Sequence, residues 1–344
     1  MRSAYACWAP PTASCPPPPP KLPFSSAAPK PQQTRYPNEK TDPEEKPESG
    51  FTLPGNVKSI TSTSNPFVRH CVKLARSSPY RDSHRSVLVV GTNPIREIHE
   101  FQESLLPERT VEIEYLFLLD GVEVPRGLEN CGARVLRVSA LVLKKLSQIQ
   151  STESLEAIAL MKHPTRYFVL GDGGADCRNW FRSPHRILVL EGIQDPGNLG
   201  TLLRSAVAFK WGGVFLLPGC ADPFGGKSLR ASRGAAFQIP IVSGSWHHLE
   251  ALKKEFRMKM LAGHPDTDMS TKPVLRLSHG YVDTLSDTPL ILLLGSEGYG
   301  LSEKAVQDCE LVSIPMAGRF ESLNVSVAGG IFLYMLGNKD HRTV

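Results

Sequence analysis

Residues 187–200 read Ile187-Leu188-Val189-Leu190-Glu191-Gly192-Ile193-Gln194-Asp195-Pro196-Gly197-Asn198-Leu199-Gly200. The first four are a short apolar run bounded by turn residues, which predicts a strand buried on both faces. Proline and glycine then crowd a turn, and the spacing changes. Leu199, Leu202, Leu203, Ala206 and Val207 share one helical face. The unit is strand, loop, helix, with the helix predicted over residues 199–209 and stopped by Gly212-Gly213. Asn198 occupies the position expected of its N-cap, and Arg204 sits off the edge of the apolar face.

The same alternation extends in both directions. Downstream, strands are predicted at 214–217, 238–242, 258–262, 290–294 and 311–314, and helices near 228–236, at 246–256 and at 325–336. Near-continuous apolar strands separated by helices imply a mainly parallel sheet, whose ligands bind beyond the carboxyl ends of the strands. Upstream, Asn65-Pro66 opens a helix, and strands at 87–90, 113–119 and around Val135 alternate with helices. One helix carries Ile95, Ile98, Phe101 and Leu105 on a face, and another spans 139–149. The chain thus divides into a small α/β domain over residues 57–165 and a second over 185–340, with a loop at Asp172-Gly173-Gly174 between them.

Three loops of the second domain have chemical character. The first carries Asn198 and, beyond it, Arg204. The second, Gly295-Ser296-Glu297-Gly298-Tyr299-Gly300-Leu301, follows the most apolar strand; its glycines allow close backbone approach, and Glu297 is placed to accept hydrogen bonds. The third runs Ile314-Pro315-Met316-Ala317-Gly318-Arg319-Phe320-Glu321-Ser322-Leu323-Asn324-Val325-Ser326 and sets Ser322 and Asn324 at the mouth of the last helix, where free N–H groups point outward. Gly329-Gly330 inside that helix costs ~1 kcal/mol per glycine relative to alanine, so close packing is expected there, within the chain or across a dimer.

Taken in order, Asn198-Leu199-Gly200 with Arg204, Gly295-Ser296-Glu297-Gly298 with Gly300-Leu301, and Ile314-Pro315-Met316 with Ser322-Leu323-Asn324-Val325-Ser326 closely resemble the three motifs of the SpoU/TrmH family. These are S-adenosylmethionine-dependent RNA 2′-O-ribose methyltransferases of the SPOUT superfamily, and the match covers about residues 185–338. The resemblance implies a parallel sheet whose C-terminal segment is tucked into a trefoil knot, a homodimer, and a cofactor held by Gly295, Ile314, Met316, Ser322, Leu323 and Asn324. It assigns the catalytic site to Arg204, Asn198, Glu297, Ser322 and Asn324. The first half resembles the family's L30e-like substrate-binding domain through residues 59–65 and Ser151-Thr152-Glu153, although Val89-Val90-Gly91 lacks the acidic residue often found before this glycine. Large-subunit ribosomal RNA is the expected target ahead of transfer RNA. A non-catalytic RNA-binding or ribosome-assembly protein on the same fold is the competing reading, disfavoured because binding alone would not require all five catalytic-site residues.

Composition narrows the other classes. The chain has 344 residues, 41% hydrophobic, and a net charge of +5, so each domain has enough apolar residues for a core. The longest weakly polar run, 325–337, is short of the roughly 20 residues a membrane span needs. No CxxC or HExxH occurs, so no metal site is expected. Gly225-Gly226-Lys227-Ser228 is not a P-loop, because Ala221 stands where the motif requires glycine. Lys227, Arg230 and Arg233 recur at three-residue spacing with Asp222 the only acid nearby, a row suited to a phosphate backbone. Lys73, Arg76, Arg81 and Arg85 offer a second basic patch.

The first fifty residues differ from the rest. Eleven prolines fall within the first forty, no acid precedes Glu39, and residues 39–48 turn acidic. Such a stretch cannot bury enough apolar surface to offset its ordering entropy, and residues 1–50 are expected to be a disordered transit peptide and linker, addressed to the chloroplast ahead of the mitochondrion. These residues hold six basic and five acidic side chains, so the net positive charge belongs to the remainder.

Overall fold

The computed structural model describes residues 53–105, 108, 110–149, 155–171, 176–182, 184–265, 272–318 and 322–337. The leader, the Ser151-Thr152-Glu153 match and the loop at Asp172-Gly173-Gly174 lie outside the described residues.

The first part comprises β1 (Ser59–Ile60), α1 (Pro66–Arg76), α2 (Ser78–His84), β2 (Ser86–Val90), α3 (Thr92–Ser104), β3 (Ile113–Leu119), β4 (Arg134–Val138), α4 (Ala140–Ser147) and β5 (Ala157–Lys162). Its five strands lie in the order β1-β4-β3-β5-β2. β5 pairs antiparallel with both β2 and β3, whereas β1, β4 and β3 are parallel. Asn65 caps α1 ahead of Pro66, as the Asn-Pro pair predicts, by accepting from the Phe67 N–H. One face of this sheet packs on α1 and α4 through Phe67, Leu74, Phe117 and Leu143. The other face packs through Val89, Ile95, Ile98 and Leu118 into a core continuous with the second part.

The second part comprises β6 (Tyr167–Val169), β7 (Arg186–Leu190), α5 (Pro196–Ala208), β8 (Gly213–Leu216), α6 (Gly226–Ser232), β9 (Ile241–Ser243), α7 (Trp246–Glu255), β10 (Lys259–Gly263), β11 (Val274–Arg276), α8 (His279–Asp283), β12 (Leu290–Leu294), α9 (Glu303–Asp308), β13 (Glu310–Ser313) and α10 (Val325–Met335). Eight strands form one sheet in the order β11-β13-β10-β12-β7-β8-β9-β6, and every pairing is parallel. Both faces are covered, as the unbroken apolar strands require. Leu188 and Leu190 of β7 point to the side holding α5 and α10, whereas Ile187 and Val189 point to the side holding α7.

Three sequence expectations are corrected. Helix α5 begins at Pro196, and Asp195 rather than Asn198 is its cap: Asp195 Oδ1 accepts from the Asn198 N–H at 2.8 Å. Proline at the first helical position presets φ and starts the helix early, which moves Asn198 into its first turn. The same helix ends at Ala208, where Lys210 takes a left-handed conformation, before the glycines are reached. The helical stretch predicted near 228–236 breaks after Ser232, because Arg233 and Gly234 both adopt positive φ.

The two parts meet along α6 and α2. Asp222, ahead of α6, pairs with the buried Arg81 of α2, and Arg233 Nη2 lies 2.8 Å from Glu97 of α3. Arg81 is therefore not open basic surface, whereas Arg233 stays partly exposed beside Glu97. Lys227 and Arg230 remain exposed on α6.

Candidate functional site

Strands β13, β10, β12 and β7 are neighbours in the parallel sheet, so the loops after them emerge on one edge. The second loop folds back on itself. Ser296 and Gly300 exchange two backbone hydrogen bonds, each 3.0 Å, and Ser296 Oγ accepts from the Tyr299 N–H at 3.1 Å. Gly295 is required there: a Cβ at this position would lie 2.3 Å from the Gly300 carbonyl oxygen and 2.7 Å from the Leu301 nitrogen.

Side chains then tie the three loops to one another. Asn324 caps α10, its Oδ1 accepting from the Ser326 N–H at 2.9 Å and from Ser326 Oγ at 2.6 Å. Asn324 Nδ2 donates to Asn198 Oδ1 at 3.2 Å, and Asn198 Nδ2 donates to Glu297 Oε1 at 2.5 Å. One residue from each loop thus forms a chain, Asn324 to Asn198 to Glu297. Glu297 and Asn324 are both exposed.

Beside this chain lies a cleft of about 570 Å³, within the size range of small-molecule sites. Its floor is Leu294, Leu301, Val306 and Phe332, and the loop Gly295 to Gly300 forms one rim. Each of Gly295, Ile314, Met316, Ser322, Leu323 and Asn324 lines it. Met316 and Leu323 are 37% and 38% exposed, large apolar groups left open to the cleft. Glu297 lines it too, so the structure brings together every predicted site residue of the second and third loops.

Arg204 is different. It lies on the exposed face of α5 and makes no hydrogen bond or ion pair among the described residues. From Asn198 it is six residues along the helix, roughly 9 Å of rise. The guanidinium is therefore free to meet an incoming ligand but is not part of the Asn324–Asn198–Glu297 chain.

Sequence reasoning missed several residues. His264 and Pro265, directly after β10, line the cleft, and His264 N–H donates to the Val312 carbonyl at 3.0 Å. The rule that directed attention beyond β7, β12 and β13 applies equally to β10 and would have found them. Glu191, the first residue after β7, accepts from Trp246 Nε1 at 3.0 Å and from the Ser302 N–H at 3.1 Å. Burial pushes the Cys220 thiol up to about 11. Among the described residues no cluster of His, Cys, Asp or Glu could hold a metal ion, and no helix is long and apolar enough to cross a membrane.

Comparison with known proteins gives the site its context. Residues 185–334 match the family model described as the SpoU rRNA Methylase family. The chain is 32% identical over 271 residues to an uncharacterized tRNA/rRNA methyltransferase of Mycobacterium leprae, covering 76% of this chain and 81% of that protein. It is 25% identical to the 23S rRNA (guanosine(2553)-2′-O)-methyltransferase of Bacillus subtilis, covering 81% of this chain and 99% of the relative. In fold it matches an AdoMet-bound rRNA methyltransferase from Sinorhizobium meliloti with a TM-score of 0.64 at 23% identity, covering 82% of this chain and 98% of that one. The relatives thus span both parts of the fold, and the family model covers the segment that carries all three loops. The chain belongs to the SpoU rRNA methylase family of RNA methyltransferases.

Proposed function

We propose that the protein transfers a methyl group from S-adenosylmethionine to a ribose 2′-hydroxyl of structured RNA, with organellar large-subunit ribosomal RNA as its target. The observation that carries this reading is the closure of three separate loops on one cleft through Asn324, Asn198 and Glu297. The cleft suits the cofactor: an apolar floor for a purine, half-open Met316 and Leu323 to cover it, and glycine-lined backbone for its polar groups. When bound there, S-adenosylmethionine supplies an electrophilic methyl on a sulfonium.

The chain's own residues have the remaining tasks. A 2′-hydroxyl is a weak nucleophile: as its oxygen bonds to the methyl carbon, the carbon–sulfur bond breaks and the hydroxyl proton must pass to solvent water. Arg204 is a guanidinium with five donors and no acceptor, so it is not a ready general base. Its role in this reading is to orient the ribose and stabilise the developing alkoxide, and its exposed position leaves it open to RNA. Asn198 and Asn324 hold Glu297 in place, and Ser322 completes the rim. Lys227 and Arg230 on α6 meet the phosphate backbone.

The same reading makes the first part an L30e-like RNA-binding domain, gives the C-terminal segment a trefoil knot, and pairs two copies through α10. Val327 and Tyr334 on that helix are more than half exposed, and a Cβ at Gly330 would meet nothing within 4 Å. Residues 1–50 serve as the organelle address, chloroplast ahead of mitochondrion. Mapping ribose methylation across RNA from cells lacking the protein tests target and position together. Loss of one 2′-O-methyl group from organellar large-subunit rRNA supports the proposal; an unchanged map, or a loss confined to transfer RNA, overturns it.

A further inference from the structure

We infer that Glu191 is a positioning residue that clamps both ends of the glycine-rich loop 295–301, an inference resting on the reading of the cleft as the S-adenosylmethionine site. The loop enters at Leu294, whose carbonyl accepts the Glu191 backbone N–H at 3.0 Å. It leaves at Ser302, whose N–H donates to Glu191 Oε2 at 3.1 Å. One residue therefore grips the strand before the loop with its backbone and the helix start after it with its carboxylate. The second carboxylate oxygen is held by Trp246 Nε1 at 3.0 Å, so the side chain has no slack. Trp246 is fixed in turn, with Lys304 Nζ 5.4 Å from its ring centroid while paired to Glu250 and Asp308.

Glu191 also begins the loop that delivers Asn198. The next residue, Gly192, has φ +65°, and a Cβ there would sit 3.4 Å from Ser296 Cβ, so the two loops touch directly. The Asn198–Glu297 hydrogen bond thus spans a frame whose base is Glu191. A carboxylate is needed because both of its partners are donors. Glutamine at this position keeps the shape but turns an NH2 group towards one of the two N–H donors, leaving that pair unmade.

The test is titration calorimetry with S-adenosylmethionine, alongside steady-state kinetics for cofactor and RNA, on wild type, Glu191→Gln and Trp246→Phe. Glu191→Gln is expected to raise the Kd and KM for the cofactor about tenfold, the scale of one charge-assisted hydrogen bond, while the KM for RNA stays unchanged. Trp246→Phe leaves the Ser302 contact and is expected to raise the cofactor Kd about threefold. A purely structural role would instead lower the active fraction and leave the cofactor KM alone, and that result overturns the inference. Wild-type cofactor affinity in Glu191→Gln, or in Trp246→Phe should the first variant not fold, overturns it as well. Wild-type protein that does not bind S-adenosylmethionine overturns the reading of the cleft and the inference with it, so the two failures are distinguishable.

Discussion

Replacing Gly295 with alanine should separate cofactor binding from folding. A Cβ there would sit 2.3 Å from the Gly300 oxygen and 2.5 Å from its carbonyl carbon. Both are backbone atoms, so the loop cannot yield by turning a side chain; it must open. Opening breaks the two 3.0 Å hydrogen bonds between Ser296 and Gly300. At ~1 kcal/mol net for each, about 2 kcal/mol of loop order is lost, roughly a thirtyfold weakening of a ligand that requires the closed loop. The strand beneath, Leu290–Leu294, is buried in the centre of the sheet and does not depend on the loop, so the chain still folds, with a melting temperature lowered by about 5 °C. Gly298 is the internal control. A Cβ there meets nothing within 4 Å, and Gly298→Ala should bind within about twofold of wild type. Calorimetric titration with S-adenosylmethionine, with thermal melts in parallel, reads both effects. Gly295→Ala binding as tightly as Gly298→Ala would refute the reasoning.

Further outcomes follow from other parts of the structure. Arg204→Lys keeps the charge and loses the planar fork, so turnover should fall about tenfold or more with cofactor affinity unchanged; near-normal turnover removes the bidentate part of its role. Gly329→Ala places a Cβ 2.2 Å from Leu202 Cδ2 and should destabilise by about 1–3 kcal/mol in urea unfolding; unchanged stability would contradict the packing described. His70 and His163 are both lowered to about 4, chiefly by burial, with positive neighbours adding to the effect. In the unfolded chain each protonates near 6.5, so stability is full above that pH and declines as pH falls towards 4, by up to about 1.4 kcal/mol per pH unit for each histidine. His163→Leu should flatten that slope in urea titrations at pH 7 and pH 5, and an unchanged slope would count against it.

The sequence displayed the parallel sheet because its strands are buried on both faces and read as unbroken apolar runs; β12 is predicted to the residue. It hid β5, Ala157–Lys162, in which Ile158 alone carries a strand preference and whose burial comes from lying between β3 and β2. Ser322, Asn324 and the glycines of the second loop were legible because such residues at strand and helix ends carry local signals, whereas Ile314, Met316 and Leu323 were legible only through the family resemblance. Pairings across the fold carry none. Arg81 and Arg233 look like surface cations in one dimension, and only the packing of α2 and α3 against α6 shows them bonded to Asp222 and Glu97. Glu191 was invisible for the same reason: its partners lie 55 and 111 residues away.

The central claim is that this cleft presents a cofactor methyl group to ribose. Its most direct test is incubation of the purified protein with methyl-labelled S-adenosylmethionine and organellar ribosomal RNA, followed by digestion to nucleosides and mass spectrometry. The account predicts label in a single 2′-O-methylnucleoside, abolished by Arg204→Ala. Label on a base, or no label in RNA despite bound cofactor, would contradict it.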